Sequence, residues 1–118
     1  YQQILQTHPH HPDALHLLGV TSHQKGENDR AVDFIKRALA IKPDYDEAHS
    51  NLGNVLLNLR RQDEAVDYCR KALAVKPDHA EANYNLGHAL LKKGQYKEGL
   101  KYTRKGEGVI EFKYDESP

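Results

Sequence analysis

Large apolar residues and cysteine are scarce in this sequence. Its 118 residues include no Trp, no Met, two Phe and one cysteine, Cys69. A single cysteine cannot form an internal disulfide, and its place inside an amphipathic helical pattern predicts a small buried thiol. The other apolar residues are Leu, Ala, Val and Ile with amphipathic tyrosines, a composition that suits helices packed closely through small side chains.

An excess of charge and a long apolar run are missing as well. Lys plus Arg equal Asp plus Glu at 17 each, and no run of like charge could neutralise a row of phosphates. No stretch approaches the ~18 consecutive apolar residues of a membrane span, and the start, YQQILQTHPHH, lacks the features of a signal peptide. We therefore expect one domain that binds neither nucleic acid nor membrane, with the cytoplasm as its default location.

The sequence does contain a repeated phrase. AIKPDYDEAHSNLGN at 40–54 returns as AVKPDHAEANYNLGH at 74–88, with an offset of 34 between matching positions. Three copies align, at 10–45, 46–79 and 80–108, the last with a degenerate second helix. Each copy reads as two amphipathic helices, which predicts an all-α fold of antiparallel helix pairs. The expected first helices are 13–25, 46–59 and 80–93, and the expected second helices are 29–41, 63–75 and 96–105.

Several columns of the repeat have a structural interpretation. Pro43 and Pro77 end one copy and set the turn into the next, because proline lacks an N–H and disfavours helix before it. Asp44 and Asp78 each precede a Glu by three residues, a spacing that predicts capping of the next helix.

The glycines fall into two kinds of position. Gly26 and Gly94 stand where the first helix of a copy turns into the second, which favours a positive φ, and Arg60 holds this position in the middle copy, where we expect slight strain. Gly19, Gly53 and Gly87 lie inside helices, where a close helix–helix approach is the expected compensation for their cost.

These columns resemble the tetratricopeptide repeat family. The 34-residue period, LLG at 17–19, NLG at 51–53 and 85–87, the alanines of the second helices and the closing prolines match that family over about residues 12–105. The aromatic residue often found early in its first helix is replaced here by Leu15, His49 or Asn83. The resemblance implies a right-handed superhelix whose concave groove is lined by the first helices. It maps the partner-binding positions onto His16, Val20, Gln24, Glu47, Ser50, Asn51, Asn54, Asn58, Tyr84, Asn85, His88 and Lys92.

Asn51 and Asn85 occupy one column of that groove. Each amide offers one acceptor and two donor hydrogens. Stacked amides can bind the backbone of an extended peptide, or they can hydrogen-bond a neighbouring helix, and the sequence favours neither alternative.

No catalytic or metal-binding motif is present. The sequence has no phosphate-binding loop, nucleophile elbow or His-Glu-x-x-His motif, and we expect no enzyme activity and no cofactor. His8, His10 and His11 crowd one loop, but a metal site needs converging ligands of fixed geometry, so solvated imidazoles are the simpler interpretation.

Two uses of the family can be compared with these residues. Chaperone-binding members hold a terminal carboxylate in a basic clamp, and the matching positions here are His16, Val20, Asn51, Tyr84 and His88, of which only the asparagine fits. The NLGN and NLGH phrases resemble the asparagine-lined arm of O-GlcNAc-transferase-like proteins. We therefore expect a non-catalytic scaffold that binds an extended segment of a protein partner, with the substrate-presenting arm of a larger glycosyltransferase as the alternative.

The two ends of the chain differ from the repeats. Residues 1–9 align with the end of a preceding second helix, and residues 109–118 alternate apolar and polar side chains, which predicts an extended tail or the start of a following segment. We expect the chain to be part of a longer protein. No polar capping helix is evident, so the exposed end helices are predicted to allow self-association.

Overall fold

The computed structural model describes residues 11–107. Within that range six α-helices follow one another: α1 (Pro12–Gln24), α2 (Asn28–Ile41), α3 (Asp46–Asn58), α4 (Gln62–Val75), α5 (Ala80–Lys92) and α6 (Tyr96–Glu107). Each boundary lies within two residues of its predicted position, and the prediction of an all-α solenoid is confirmed. The predictions for residues 1–9 and 109–118 concern segments outside the described residues.

The helices form two layers. Every helix packs against the next one in the chain, and the first helix of each pair also contacts the first helix of the following pair. In the described part of the chain the backbones of the second helices α2, α4 and α6 do not approach one another as closely, and α4 and α6 are joined by an ion pair between Arg70 and Glu98 at 3.6 Å. The first helices α1, α3 and α5 therefore form the inner layer of the array, and the second helices form the outer layer.

The interior glycines lie where the two helices of a pair approach most closely. A Cβ atom added to Gly53 would stand 2.5 Å from Cys69 Sγ, and one added to Gly19 would meet the Ile35 side chain. At Gly87 the obstacles are the Thr103 Cγ2 atom and two backbone atoms, Thr103 N at 2.5 Å and Gly99 O at 2.7 Å. The predicted close approach is confirmed, and it fixes the geometry inside each pair.

Cys69 belongs to this contact. Its side chain is fully buried in the cluster formed by α2 to α5. Burial raises the pKa of its thiol to about 12, because a thiolate would lose its hydration there. The cysteine is a packing residue, as the sequence predicts.

The turn inside each pair has one geometry in all three copies. Gly26 and Gly94 have φ of 80° and 84°, and Arg60 has φ of 61°. In each case the following residue donates its N–H to a carbonyl five residues back, as in Arg61 N to Leu56 O at 2.8 Å. Arg60 thus adopts a left-handed conformation that glycine accepts readily and a side chain disfavours.

The positions at which the helices begin show that one sequence prediction, helix capping by Asp44 and Asp78, is wrong. Asp44 and Asp78 are not the capping residues, since each lies in the turn before the helix. The N-cap of α5 is His79, whose Nδ1 accepts a hydrogen bond from Ala82 N at 3.2 Å, and His11 does the same for Ala14 N in α1. The D-x-x-E spacing therefore begins one residue too early to form a capping box.

Two polar residues fill a column that is often aromatic in the family. His49 and Asn83 are buried, with 6% and 3% of their surface exposed. His49 Nε2 lies 2.7 Å from Pro43 O, and Asn83 Nδ2 donates to Pro77 O at 3.2 Å. Because a carbonyl only accepts, the His49 Nε2 carries a proton. These bonds tie each inter-pair turn to the helix that follows it.

The Gly53–Cys69 contact yields a stability prediction. Gly53→Ala should lower the free energy of unfolding by about 1–3 kcal/mol, because the new methyl group overlaps Cys69 Sγ. Cys69→Ala alone should cost about 1–2 kcal/mol through the small cavity it leaves. In the double variant the methyl group occupies that cavity, so the measured cost in denaturant unfolding should be smaller than the sum.

Gly87→Ala with Thr103→Ala is the matched control. Its obstacles include backbone atoms that truncation of Thr103 does not remove, so these two changes should not relieve each other. Strictly additive costs for Gly53→Ala and Cys69→Ala would contradict the assigned contact.

Candidate functional site

A buried network joins the first and second copies on the inner layer. His16 is only 5% exposed, its Nδ1 lies 3.0 Å from the Tyr45 hydroxyl, and its Nε2 lies 2.7 Å from Asn51 Nδ2. An amide nitrogen only donates, so Nε2 accepts, and in a neutral imidazole Nδ1–H then donates to Tyr45. The side chain of His16, one of the predicted partner-binding residues, thus holds α1 against α3.

A second contact of the same kind lies two helical turns further along. Asn58 Nδ2 is 2.6 Å from His23 Nε2. As with His16 and Asn51, the two residues are 35 apart, so α1 and α3 meet in one constant register. Burial lowers the pKa of both His16 and His23, since the imidazolium loses hydration, and nearby Glu47 and Asp13 oppose this effect only partly at His16.

The third copy uses its amide differently. Asn85 Nδ2 donates to the backbone carbonyl of Ser50 at 3.2 Å. Ser50, another of the predicted partner-binding residues, has a fully buried side chain, and its Oγ has no partner among the described residues. The Nδ2 atoms of Asn51 and Asn85 each hydrogen-bond a neighbouring helix, which is one of the two alternatives for this column.

The other predicted residues reach the surface to different extents. Gln24, Glu47, Asn58, Tyr84 and Lys92 are exposed, and Val20, Asn51, Asn54, Asn85 and His88 are half-buried. Tyr84 is 43% exposed, and its ring packs edge-on against His88 with the ring centroids 4.4 Å apart.

The structure brings most of these residues together between α3 and α5. A cavity of about 370 Å³ lies there, open to solvent on the inner layer. Its lining residues are Asn54, Leu57, Asn58, Arg60, Tyr84, Asn85, His88 and Lys92. Sequence reasoning missed Arg60 as a lining residue, because its column marked it only as a turn position.

A second cavity lies toward the other end of the same helices. It has a volume of about 410 Å³ and includes Glu47, Asn51 and Glu81 in its lining. His79 and Asp46, also part of its wall, lie 3.7 Å apart across the junction of the second and third copies. We call the surface that carries both cavities, from Glu47 to Arg60 on one side and from Glu81 to Lys92 on the other, the groove.

A further cavity of about 820 Å³ lies outside the groove, on the outer face of α6. Leu100 there is 49% exposed, whereas its equivalents Val32 and Val66 are 8% and 7% exposed because a following helix covers them. This face is the uncovered end of the described array.

The described residues contain neither a metal-binding cluster nor a membrane-spanning helix. Within residues 11–107 no three His, Cys, Asp or Glu side chains converge on a point where an ion could sit. None of the helices between those limits is both long and apolar enough to cross a membrane.

Comparison with known families agrees with the geometry. Profiles described as tetratricopeptide repeat match residues 46–79 and 68–101, and one described as TPR repeat matches residues 22–59. Together they cover residues 22–101, more than half of the chain. The chain belongs to the tetratricopeptide repeat family.

Solved structures of similar shape include several chains of the protein MamA. A crystal structure of MamA superposes with a TM-score of 0.83 at 26% identity, covering 97% of this chain and 67% of that one. A second, with a TM-score of 0.81 at 26% identity, covers 99% and 64%. This tetratricopeptide repeat chain thus spans about two thirds of the MamA chains. The repeats and this likeness support a protein–protein interaction scaffold, whereas the relation to the glycosyltransferase arm stays a prediction.

The buried histidines of this tetratricopeptide repeat protein predict a pH dependence. Because the pKa of His16 and of His23 is lowered in the folded state, the unfolded chain binds more protons as the pH falls through its histidine pKa of about 6.5. Stability should be fully present above that pH and decline below it.

Denaturant unfolding measured from pH 7.5 to about pH 5 checks this. The double variant His16→Gln/His23→Gln should lose less stability over that range than the unchanged chain. An equal loss in both proteins would contradict the assignment of the pH dependence to these two side chains.

Proposed function

We propose that the chain is a non-catalytic scaffold that binds an extended segment of a partner protein along the groove. The observation that carries the proposal is the open cavity between α3 and α5, whose wall combines the exposed ring of Tyr84, packed against the half-buried ring of His88, with amide groups. Flat rings accept apolar side chains, and amides match the donors and acceptors of a peptide backbone.

Not every amide in the groove has the same role. Asn51 and Asn85 use their nitrogens to join neighbouring helices. Asn54 is half-buried and makes no side-chain hydrogen bond to another described residue. Asn54 and Tyr84 are therefore the side chains we assign to direct contact with the partner, and His16, Asn51 and Asn85 are positioning residues.

The proposal can be tested with soluble random-sequence peptides of about 10 residues, which at ~3.3 Å per residue can cross three helices spaced ~9 Å apart. Peptides are selected on the folded chain, and their affinities are measured by fluorescence polarisation. Tyr84→Ala combined with Asn54→Ala should weaken binding about tenfold, because both side chains face the cavity.

Tyr96→Ala is the matched control. Tyr96 is 66% exposed but lies on the outer face of α6, away from the groove, so its loss should leave the affinity within about twofold. Unchanged binding by the Tyr84/Asn54 variant, or an equal loss from Tyr96→Ala, would rule out the groove as the binding surface.

A further inference from the structure

Arg60 occupies a backbone conformation that its own side chain disfavours. The equivalent residues of the other copies are Gly26 and Gly94, and all three have positive φ. A side chain in the left-handed region costs roughly 1–2 kcal/mol, so glycine is the less strained choice at this turn. Strain of this kind is found where a side chain has a use that outweighs it.

The Arg60 side chain lies beside the groove. It lines the cavity between α3 and α5 together with Lys92, the last residue of α5. Neither residue is in a position of the family's carboxylate clamp, which corresponds here to His16, Val20, Asn51, Tyr84 and His88. The two cations stand at one edge of the groove, where the first helices end.

The neighbouring cations differ from these two. Arg61 and Lys93 pair with Glu64 and Asp63, each at 2.7 Å. Among residues 11–107 no carboxylate lies within 4.0 Å of Arg60 or Lys92. The wall of the cavity between α3 and α5 contains no Asp or Glu. Both cations also border an adjacent cavity of about 450 Å³, whose acids Asp63 and Glu64 are the ones already paired with Lys93 and Arg61.

The opposite edge of the groove has the reverse charge. Glu47 and Glu81 lie there, near the starts of α3 and α5, and both are exposed. The same cavity wall includes a third acid, Asp46, and one lysine, Lys76, so acids outnumber cations at this edge. An acidic side chain would be repelled at this edge and attracted at the other. The groove is therefore electrostatically polar across its width.

We propose that Arg60 and Lys92 together bind the carboxylate of an Asp or Glu side chain within the extended segment. This inference rests on the proposed function and adds the chemistry of the partner: an acidic residue directed toward the edge where the first helices end. Side chains of an extended segment point alternately to opposite sides, so one that lies along the groove floor can place an acid at this edge and a neutral or basic residue at the other.

An internal acid fits this edge better than a chain terminus. Both cations are at the side of the groove, beyond the amide column, where a side chain reaches from a backbone that runs past them. Four of the five clamp positions that would hold a terminal carboxylate are histidine, valine or tyrosine.

The test uses peptides of about 10 residues, long enough to cross the groove, prepared from a random library with free and with amidated C-termini and selected on the folded chain in low salt. We expect Asp or Glu to be enriched at one internal position. Replacing that acid by its amide should weaken binding about three- to tenfold, as should Arg60→Gly or Lys92→Gln. When the peptide already lacks the acid, Arg60→Gly and Lys92→Gln should weaken binding no further, because the interaction that they remove is then absent.

Two control measurements distinguish the loss of this contact from a loss of folding or of overall charge. Arg60→Gly relieves the strained φ, so its melting temperature should equal or exceed that of the unchanged chain while its affinity falls. Lys25→Gln removes the same charge from an exposed site outside the cavity and should change the affinity less than about twofold.

Each outcome decides the proposal. Coupled losses at the internal acid and at both cations support it. Peptides that bind through Tyr84 and Asn54 without preferring an acid overturn it and leave the proposed function standing. Binding that requires the free C-terminus rather than the internal acid also overturns it, and the absence of any bound peptide overturns both proposals.

Discussion

The packing of each helix pair on the next pair is the interaction on which the rest of the structure depends. Helix pairs alone, held by the close approach at Gly53 and its equivalents, would be independent hairpins. His16 with Asn51 and His23 with Asn58 join α1 to α3, and Asn85 joins α5 to the backbone of α3. These bonds connect residues 35 apart, and they hold the inner layer as one continuous surface.

Because polar bonds that are partly buried at Asn51 and Asn85 support that register, the side chains next to them are presented in a defined arrangement. A buried hydrogen bond contributes modestly when made, but a donor left without a partner costs about 1–3 kcal/mol, so alternative registers are disfavoured. Tyr84 and His88 stand as an edge-on pair in front of the bonded amide of Asn85. His16 and Asn85, which we propose as positioning residues, are less exposed than Tyr84, which we propose to contact the partner.

Much of the fold could be predicted from the sequence, because each repeat column has a local cause. The period and the apolar spacing locate the helices, and glycine marks both the positive-φ turns and the close approaches. The N-cap residues were harder to predict. Whether Asp44 or Tyr45 is the N-cap of α3 depends on the length of the turn after Pro43, and the D-x-x-E spacing does not indicate that length.

The site was less predictable for a related reason. A column position indicates that a side chain lies on the inner layer, but not whether it points at a partner or at the preceding copy. His16 and Ser50 are buried because α3 and α5 pack over them, a consequence of the inter-copy register and not of any local pattern. For Arg60 the sequence failed to indicate a position beside the groove. Its column marks a turn, and only the packing of α3 with α5 shows that its side chain borders the groove.

The central claim is that a partner segment lies along the groove of the inner layer. NMR chemical-shift mapping of the folded chain with a selected acidic peptide tests it most directly. The account predicts shifts concentrated from Asn54 to Arg60 and from Tyr84 to Lys92. Shifts confined to the second helices, or to the outer face of α6 around Tyr96 and Leu100, would contradict it.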